Sequence, residues 1–412
     1  MGLNFLGNES KSRKNLVNRI LLTLGIILFA RFGTFIPIPG IDQNYLYKEL
    51  QNSPILNFFS SFSQGDFFVL GPFTLGILPN INASITMQLL TSISPALQKL
   101  QKEEGVAGQK KSTQYVRYVT VLIAFIYGLI IAFFLKPFVF GWNLVQALQI
   151  AVTLTTGSVI ILWLSELITE KGIGNGTSLF IFVNISSALP KTLSNFNSVA
   201  PSLISKLGIG FIFFVGLVSI IIVQGALRKI ELLSVKSLLR ESTNKQSSYL
   251  PFRLNPSGIM PLIFSSGLLN VIIVGINKIS LLNGLASFSN VIYTGGYFVL
   301  TLFFSYYYST IAIKPRDLAD NLKKMNFTIP GTQPGLATMR FLQETLSRLA
   351  LLGGLFLAII VTVPSLLAFV NPGIKGFGIT SLIILVGVAV DLSRQIRFYL
   401  ISEVYDLSLI HI

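Results

Sequence analysis

Apolar runs of about twenty residues recur along the chain, separated by polar stretches of unequal length. A helix needs about 20 mostly apolar residues to cross the hydrocarbon of a bilayer. Ten stretches fit: near 20–37, 75–95, 118–138, 148–168, 177–192, 207–226, 257–276, 291–312, 349–369 and 379–399. The pattern therefore predicts an all-α membrane protein with ten transmembrane helices. An even number of spans puts both ends of the chain on one side. The connections on that side are 96–117, 169–176, 227–256 and 313–348. The last two are too polar to be buried and too large to be turns. Long loops on a rigid scaffold usually carry function.

One stretch breaks the pattern. Residues 54–72 read PILNFFSSFSQGDFFVLGP, apolar in patches and interrupted by Ser63, Gln64, Gly65 and Asp66. It is too short and too broken to span. Pro79, Asn80 and Asn82 then stand at the start of the second span. Irregular backbone at membrane depth is tolerated only where protein shields it or where it faces a wet cavity. The segment reads either as an interfacial or re-entrant piece or as a short mobile element inside a pathway.

Charge fixes the orientation. Of 31 Lys and Arg, six fall in the other set of connections (Lys48, Lys136, Lys191, Lys206, Lys278 and Lys375) and Arg31 lies within a span. All the others lie on the side of the termini. Lys and Arg concentrate on the inside face of membrane proteins, so both termini are expected inside. The same bias accounts for the net charge of +15 without a nucleic-acid-binding domain. Inside-facing basic loops can meet anionic lipid headgroups, RNA or acidic protein surfaces. Only 11% of residues are charged and 52% are hydrophobic, against about 25% charged in a soluble domain. The basic tail 1–19 has no signal-peptide pattern, and the first span is expected to be retained.

Candidate chemistry is sparse. The chain has no Cys, and its one His is His411, so no disulfide, thiolate chemistry, metal site or cofactor is expected. Arg31 can snorkel or pair and is expected to be structural. Asp391 and Arg394 can pair on one helix face. Glu166 sits at the inside end of the fourth span, and Gln88 and Asn184 are neutral. A proton-coupled carrier needs carboxylates inside the membrane, and no such ladder is present. Ile77 with Ile81, and Ile181 with Ile185, lie four residues apart and so share helix faces. By spacing alone this is ordinary helix packing.

Five stretches resemble the SecY family, the channel subunits of the Sec protein translocase. They are Phe35–Asp42 (FIPIPGID), Gly76–Ile85 (GILPNINASI), Ile168–Gly176 (ITEKGIGNG), Asn255–Pro261 (NPSGIMP) and Pro315–Lys324 (PRDLADNLKK). The likeness covers nearly the whole chain in order. Ser381–Asp391 (SLIILVGVAVD) is most similar to the cyanobacterial and plastid branch. The resemblance implies two inverted halves of five helices around a central pore: 20–192, an outside connection 193–206, and 207–399, with an inside tail 400–412. It implies a plug at 57–71 carrying Phe58, Phe59, Phe62, Phe67 and Phe68. It implies a pore ring of Ile77, Ile81, Ile181, Ile185, Met260 and Ile384, with Met260 in place of the usual Ile. A lateral gate would lie between the second and third spans and the seventh and eighth.

The resemblance also implies function and partners. The protein would pass unfolded preproteins across the membrane and release apolar segments into lipid, with no catalytic step and no cofactor. A SecE-type small subunit, with or without a SecG-type one, a SecA-type motor ATPase, the ribosome, preproteins and membrane lipid would be its partners. Arg228, Lys229, Arg253, Arg316, Lys323, Gln333 and Arg340 would form the docking loops. Gln333, in Pro330–Gly335, departs from the family's usual Arg, and a neutral amide cannot reproduce an Arg fork to carboxylate. A composition rich in Ile, Asn, Lys and Phe favours a plastid thylakoid over a bacterial plasma membrane. The alternative is a secondary solute transporter with discontinuous helices, which calls for a polar midplane site that the sequence lacks.

Overall fold

The computed structural model describes residues 3–42, 70–94, 96–97, 105–199, 203–234, 248–258, 260–262, 264–265, 268–269, 289–312, 314–370 and 385–397. The chain divides into two compact units, Met1–Lys191 with Asp391–Ile412, and Thr192–Val390.

The first unit carries α1 (Leu3–Gly33), α2 (Leu78–Ile93), α3 (Gly105–Phe134), α4 (Leu144–Lys171) and most of α5 (Gly176–Val199). A 3-10 turn, Pro72–Leu75, leads into α2. α1 begins well before the apolar run and ends before Pro37, where the chain turns. There the Thr34 and Phe35 amides donate to Arg31 O and Phe32 O, and the Thr34 hydroxyl caps Arg31 O at 2.6 Å. The core of this unit joins Ile38, Leu70 and Leu75 to Ile131 of α3, to Leu135 just past its end, and to Ile150 and Leu154 of α4. The backbone closes over it, with Ile38 N–H donating to Leu70 O at 3.0 Å.

Glycines set two close approaches on α4. A Cβ at Gly128 of α3 would lie 2.9 Å from Ala151 O, so these helices touch backbone to backbone. At Gly157 a Cβ would run into Pro72 O. Backbone cannot yield there as a flexible side chain can. Gly157→Ala is expected to destabilise the unit by about 1–3 kcal/mol, the usual cost of overpacking a close-packed site. A lowered melting temperature of the detergent-purified protein is the readout, and an unchanged one would mean that Pro72 gives way freely.

The second unit carries α6 (Leu203–Gly225), β1 (Leu227–Ser234), β2 (Ser248–Arg253), α7 (Ser289–Ala312), α8 (Pro315–Lys324), β3 (Phe327–Thr328) and α9 (Leu336–Val370). Its apolar clusters join Ile220 of α6 to Leu262, Leu269, Tyr297 of α7 and Leu357 of α9. A second cluster seats the sheet and α8 on the start of α9 through Ile230, Phe252, Leu322, Leu342 and Leu346. At about 1.5 Å per residue, the 35 residues of α9 exceed the roughly 30 Å of a hydrocarbon core. Its first turns carry Arg340, Glu344 and Arg348. Residues 385–397 are also helical. Among the described residues, Lys110–Phe134, Leu144–Lys171 and Leu336–Val363 are long and apolar enough to cross a membrane.

The expectation of an all-α chain needs correction in the connections 227–256 and 313–348. β2, β1 and β3 form a three-stranded sheet in that order. β1 pairs antiparallel with β2 from Leu227↔Arg253 to Leu232↔Ser248, and with β3 through Leu233↔Thr328 and Ser234↔Phe327. The cause is period-two burial. Ile230 and Leu232 are buried while Lys229, Glu231 and Leu233 are exposed, and Phe252 is buried between exposed Pro251 and Arg253. Alternation of this kind favours a half-buried strand over a helix.

Candidate functional site

The segment that carries Ile181 and Ile185 is placed by the turn between α4 and α5. Gly172 N–H donates to Ile168 O at 2.7 Å and ends α4. Gly174 adopts φ +86°, a left-handed backbone that glycine enters without strain. Asn175 then caps α5, its side-chain oxygen accepting from Thr177 N–H at 3.0 Å. Gly176 packs so close to Ser165 O that a side chain has no room, and its N–H donates to the Thr169 hydroxyl at 2.9 Å. The motif Ile168–Gly176 is thus a tight, fully bonded connection that fixes where α5 starts. On α5, Ile185 is buried at 6% exposure and Ile181 is half-buried.

The second pair sits at the start of α2. Gly76 takes φ +52° and its carbonyl accepts from the Ser158 hydroxyl of α4 at 3.2 Å. Ile77 caps α2 and Pro79 lies in its first turn, where a missing amide hydrogen costs nothing. Ile77 and Ile81 are both buried. α2 is tied to α3 by Asn82 Nδ2, which donates to the Tyr127 hydroxyl at 2.8 Å, and by Thr120 Oγ1, which donates to Asn80 Oδ1 at 3.4 Å. The asparagines at the start of this span are therefore interhelical ties.

These four isoleucines belong to the first unit. Met260 belongs to the second and is half-buried at the start of a helical stretch. It follows a turn in which Asn255 Nδ2 donates to Gly258 O at 2.8 Å and the Ser257 hydroxyl donates to Asn255 Oδ1 at 2.8 Å. Ile384 lies outside the described residues, as do Phe58, Phe59, Phe62, Phe67 and Phe68.

The basic residues expected to form the docking loops all belong to the second unit, exposed on its sheet, on α8 and on the first turns of α9. The β1–β3 pairing draws the connections 227–256 and 313–348 into a single sheet. Lys229 and Arg253 sit on its exposed face, and Lys229 Nζ lies 4.8 Å from the centre of the Tyr249 ring, a cation–π contact. Arg228 is exposed at the end of the opposite face. Arg316 and Lys323 are exposed on α8, and Arg340 on the first turns of α9. Gln333 is exposed in the turn before α9, where its carbonyl accepts from the Thr338 hydroxyl at 2.9 Å. Its amide side chain is therefore not needed for the cap.

Some polar ties have no simple sequence signal. Arg117 Nε donates to Glu166 Oε1 at 2.8 Å, joining α3 to α4, and both groups keep partial access to solvent. Exposed pairs of this kind contribute up to about 1 kcal/mol. Arg31 donates from Nη2 to Val183 O at 3.0 Å. Arg31 stands in the last turn of α1, and a charge-assisted hydrogen bond of this kind contributes about 1.5–3 kcal/mol.

The sequence profile of SecY matches residues 72–393, more than three quarters of the chain. The chain belongs to the SecY family. A protein translocase subunit SecY from Guillardia theta is 43% identical over 412 residues, covering 97% of this chain and 98% of the relative. One from Synechococcus elongatus is 40% identical over 411 residues, covering 94% and 93%. Among solved structures, one described as a protein conducting channel aligns with TM-score 0.64 and 16% identity, over 93% of each chain. Sec61 in a canine ribosome–channel complex from the endoplasmic reticulum aligns at 0.56 and 15%, again over 93% of each. At those identities the two solved structures speak to the fold, which is that of SecY and Sec61 channels. Both curated relatives match from end to end, so the SecY resemblance extends beyond the matched motifs to the whole chain.

Proposed function

We propose that this chain is the central channel subunit of a Sec translocase, passing unfolded preproteins across a membrane and releasing apolar segments sideways into lipid. The observation that carries this reading is end-to-end similarity to SecY subunits at 40–43% identity. Ten helices in two inverted halves, 20–192 and 207–399, surround the pore. Ile77, Ile81, Ile181, Ile185, Met260 and Ile384 form its constriction, and residues 57–71 plug it. Six apolar side chains suit this task. An apolar ring dewets when empty and so blocks hydrated ions, and it packs around a passing side chain without demanding hydrogen bonds. The protein performs no chemical step. The work comes from a SecA-type motor or from the ribosome, docked on the basic platform of β1, β2, α8 and the start of α9.

A SecE-type subunit, with or without a SecG-type one, completes the complex. Relatives from cyanobacteria and algae favour a thylakoid membrane, and the Lys and Arg bias toward the side of the termini favours a stromal location for both. Reconstitution tests the function: a signal-bearing preprotein becomes protease-protected in vesicles only with motor and ATP. Uptake of a small solute with no preprotein transport would favour the carrier reading instead.

Gln333 offers a finer test. Its side chain is exposed and its carbonyl alone serves the cap, so Gln333→Arg preserves the turn. An Arg fork pairs bidentately with carboxylate. The variant is expected to raise motor-dependent transport modestly, by up to about tenfold at the 1.4 kcal/mol that one such bond supplies. A fall in transport would show that the motor contact has been rebuilt around the amide.

A further inference from the structure

We propose that Arg31 is a positioning residue for the channel constriction, setting the height of α5 and so of Ile181 and Ile185. The inference rests on the pore-ring reading above and adds to it the group that holds the ring in place. Arg31 Nη2 donates to Val183 O at 3.0 Å. Val183 lies midway between Ile181 and Ile185, so the bond is made at the level of the ring.

A second mount lies below it. Arg19 Nη1 donates to Gly172 O at 3.4 Å, and Ile173 N–H donates to the Thr23 hydroxyl at 3.0 Å. α1 thus grips the α4–α5 turn at Arg19 and Thr23, and α5 itself at Arg31. Thr23 and Arg31 are eight residues apart, about 12 Å along a helix. Two grips at that separation resist both sliding and tilting of α5. A single grip would allow either.

The upper grip also adjoins the other pair of ring residues. Arg31, Phe73, Gly76, Ile161, Phe180 and Asn184 line one small cleft of the first unit. Gly76 directly precedes Ile77, and its carbonyl is held by Ser158. A Cβ at Gly76 would come within 3.8 Å of Asn184 Nδ2. The guanidinium therefore stands where the start of α2 meets the middle of α5. A carbonyl has two lone pairs, so Val183 O can accept from Arg31 without giving up its place in the helix.

The test is resting ion conductance of the reconstituted complex in a planar bilayer. Arg31→Leu keeps bulk and removes every donor, and Arg31→Lys keeps a charged donor. We expect a severalfold higher resting conductance for Arg31→Leu and near-parental closure for Arg31→Lys. A role in folding alone would lower yield and melting temperature without opening the resting pore. If Arg31→Leu does not accumulate in the membrane, Arg31→Gln, too short to reach Val183 O, is read in the same way. A tight resting pore in the donor-free variant, or a leak in Arg31→Lys equal to it, overturns the proposal. Ile185→Asn is measured in parallel. If it leaks while the Arg31 variants stay tight, the ring stands and the role of Arg31 falls. If it too is tight, the ring assignment itself falls.

Discussion

Replacing Ile81 and Ile185 together with Asn is expected to make the resting channel conduct ions. Both side chains are buried, at 4% and 6% exposure. Both sit on helices whose starts are pinned: α2 by Gly76 and Ser158, α5 by the turn 172–176. The substituted amides therefore stay near where the isoleucines were. An amide in an apolar site without a partner costs about 1–3 kcal/mol on protein scales. Water that enters the constriction relieves that cost at both positions. Two such terms shift the balance between dry and wet constriction by at least about tenfold. Single-channel conductance in a planar bilayer reads the shift directly. An unchanged resting leak would remove Ile81 and Ile185 from the constriction.

Reversing Arg228, Lys229 and Arg253 to Glu is expected to have a comparable effect on docking. Lys229 and Arg253 share the exposed face of the sheet, with Tyr249 beneath Lys229. Arg228 adds charge at the edge. Because none of the three is buried, the fold should survive the change. Opposed like charges across an interface cost several kcal/mol, so motor or ribosome affinity should fall by at least about tenfold. Charges on exposed faces are screened over about 8 Å at physiological salt, so the salt dependence of binding should flatten as well. Binding and its salt slope both unchanged would place the docking surface elsewhere.

These two regions show what the sequence could and could not reveal. Apolar run length brought out helices that the structure contains, such as Leu144–Lys171 where a span was expected near 148–168. Run length says nothing about helix outside the lipid, so α1, α3 and α9 all begin well before their expected spans. The sheet was missed because it pairs short strands from two connections, with Leu233 and Thr328 95 positions apart, and only their alternation of burial marks them. The basic loops were therefore legible, but not that strands from both connections share one sheet. The spacing of Ile77 with Ile81 and Ile181 with Ile185 carried no more than helix packing, and resemblance to the family supplied their role. Arg31, expected to be structural, has a partner at Val183 152 positions away, which no local pattern could indicate. The plug phenylalanines and Ile384 fall outside the described residues and remain proposals from the family pattern.

A polypeptide that passes through the constriction comes within reach of a thiol placed there. The chain has no Cys, so Ile81→Cys or Ile185→Cys gives a single reporter. A preprotein stalled in transit by a folded C-terminal domain, and carrying one Cys in its mid-segment, supplies the other thiol. Trp163→Cys, on an exposed position of α4, serves as the control. If a polypeptide threads the constriction, a disulfide forms between preprotein and either constriction thiol, only with motor and ATP, and none forms at position 163. Translocation that proceeds without any cross-link at positions 81 and 185, or with equal cross-linking at 163, would contradict it.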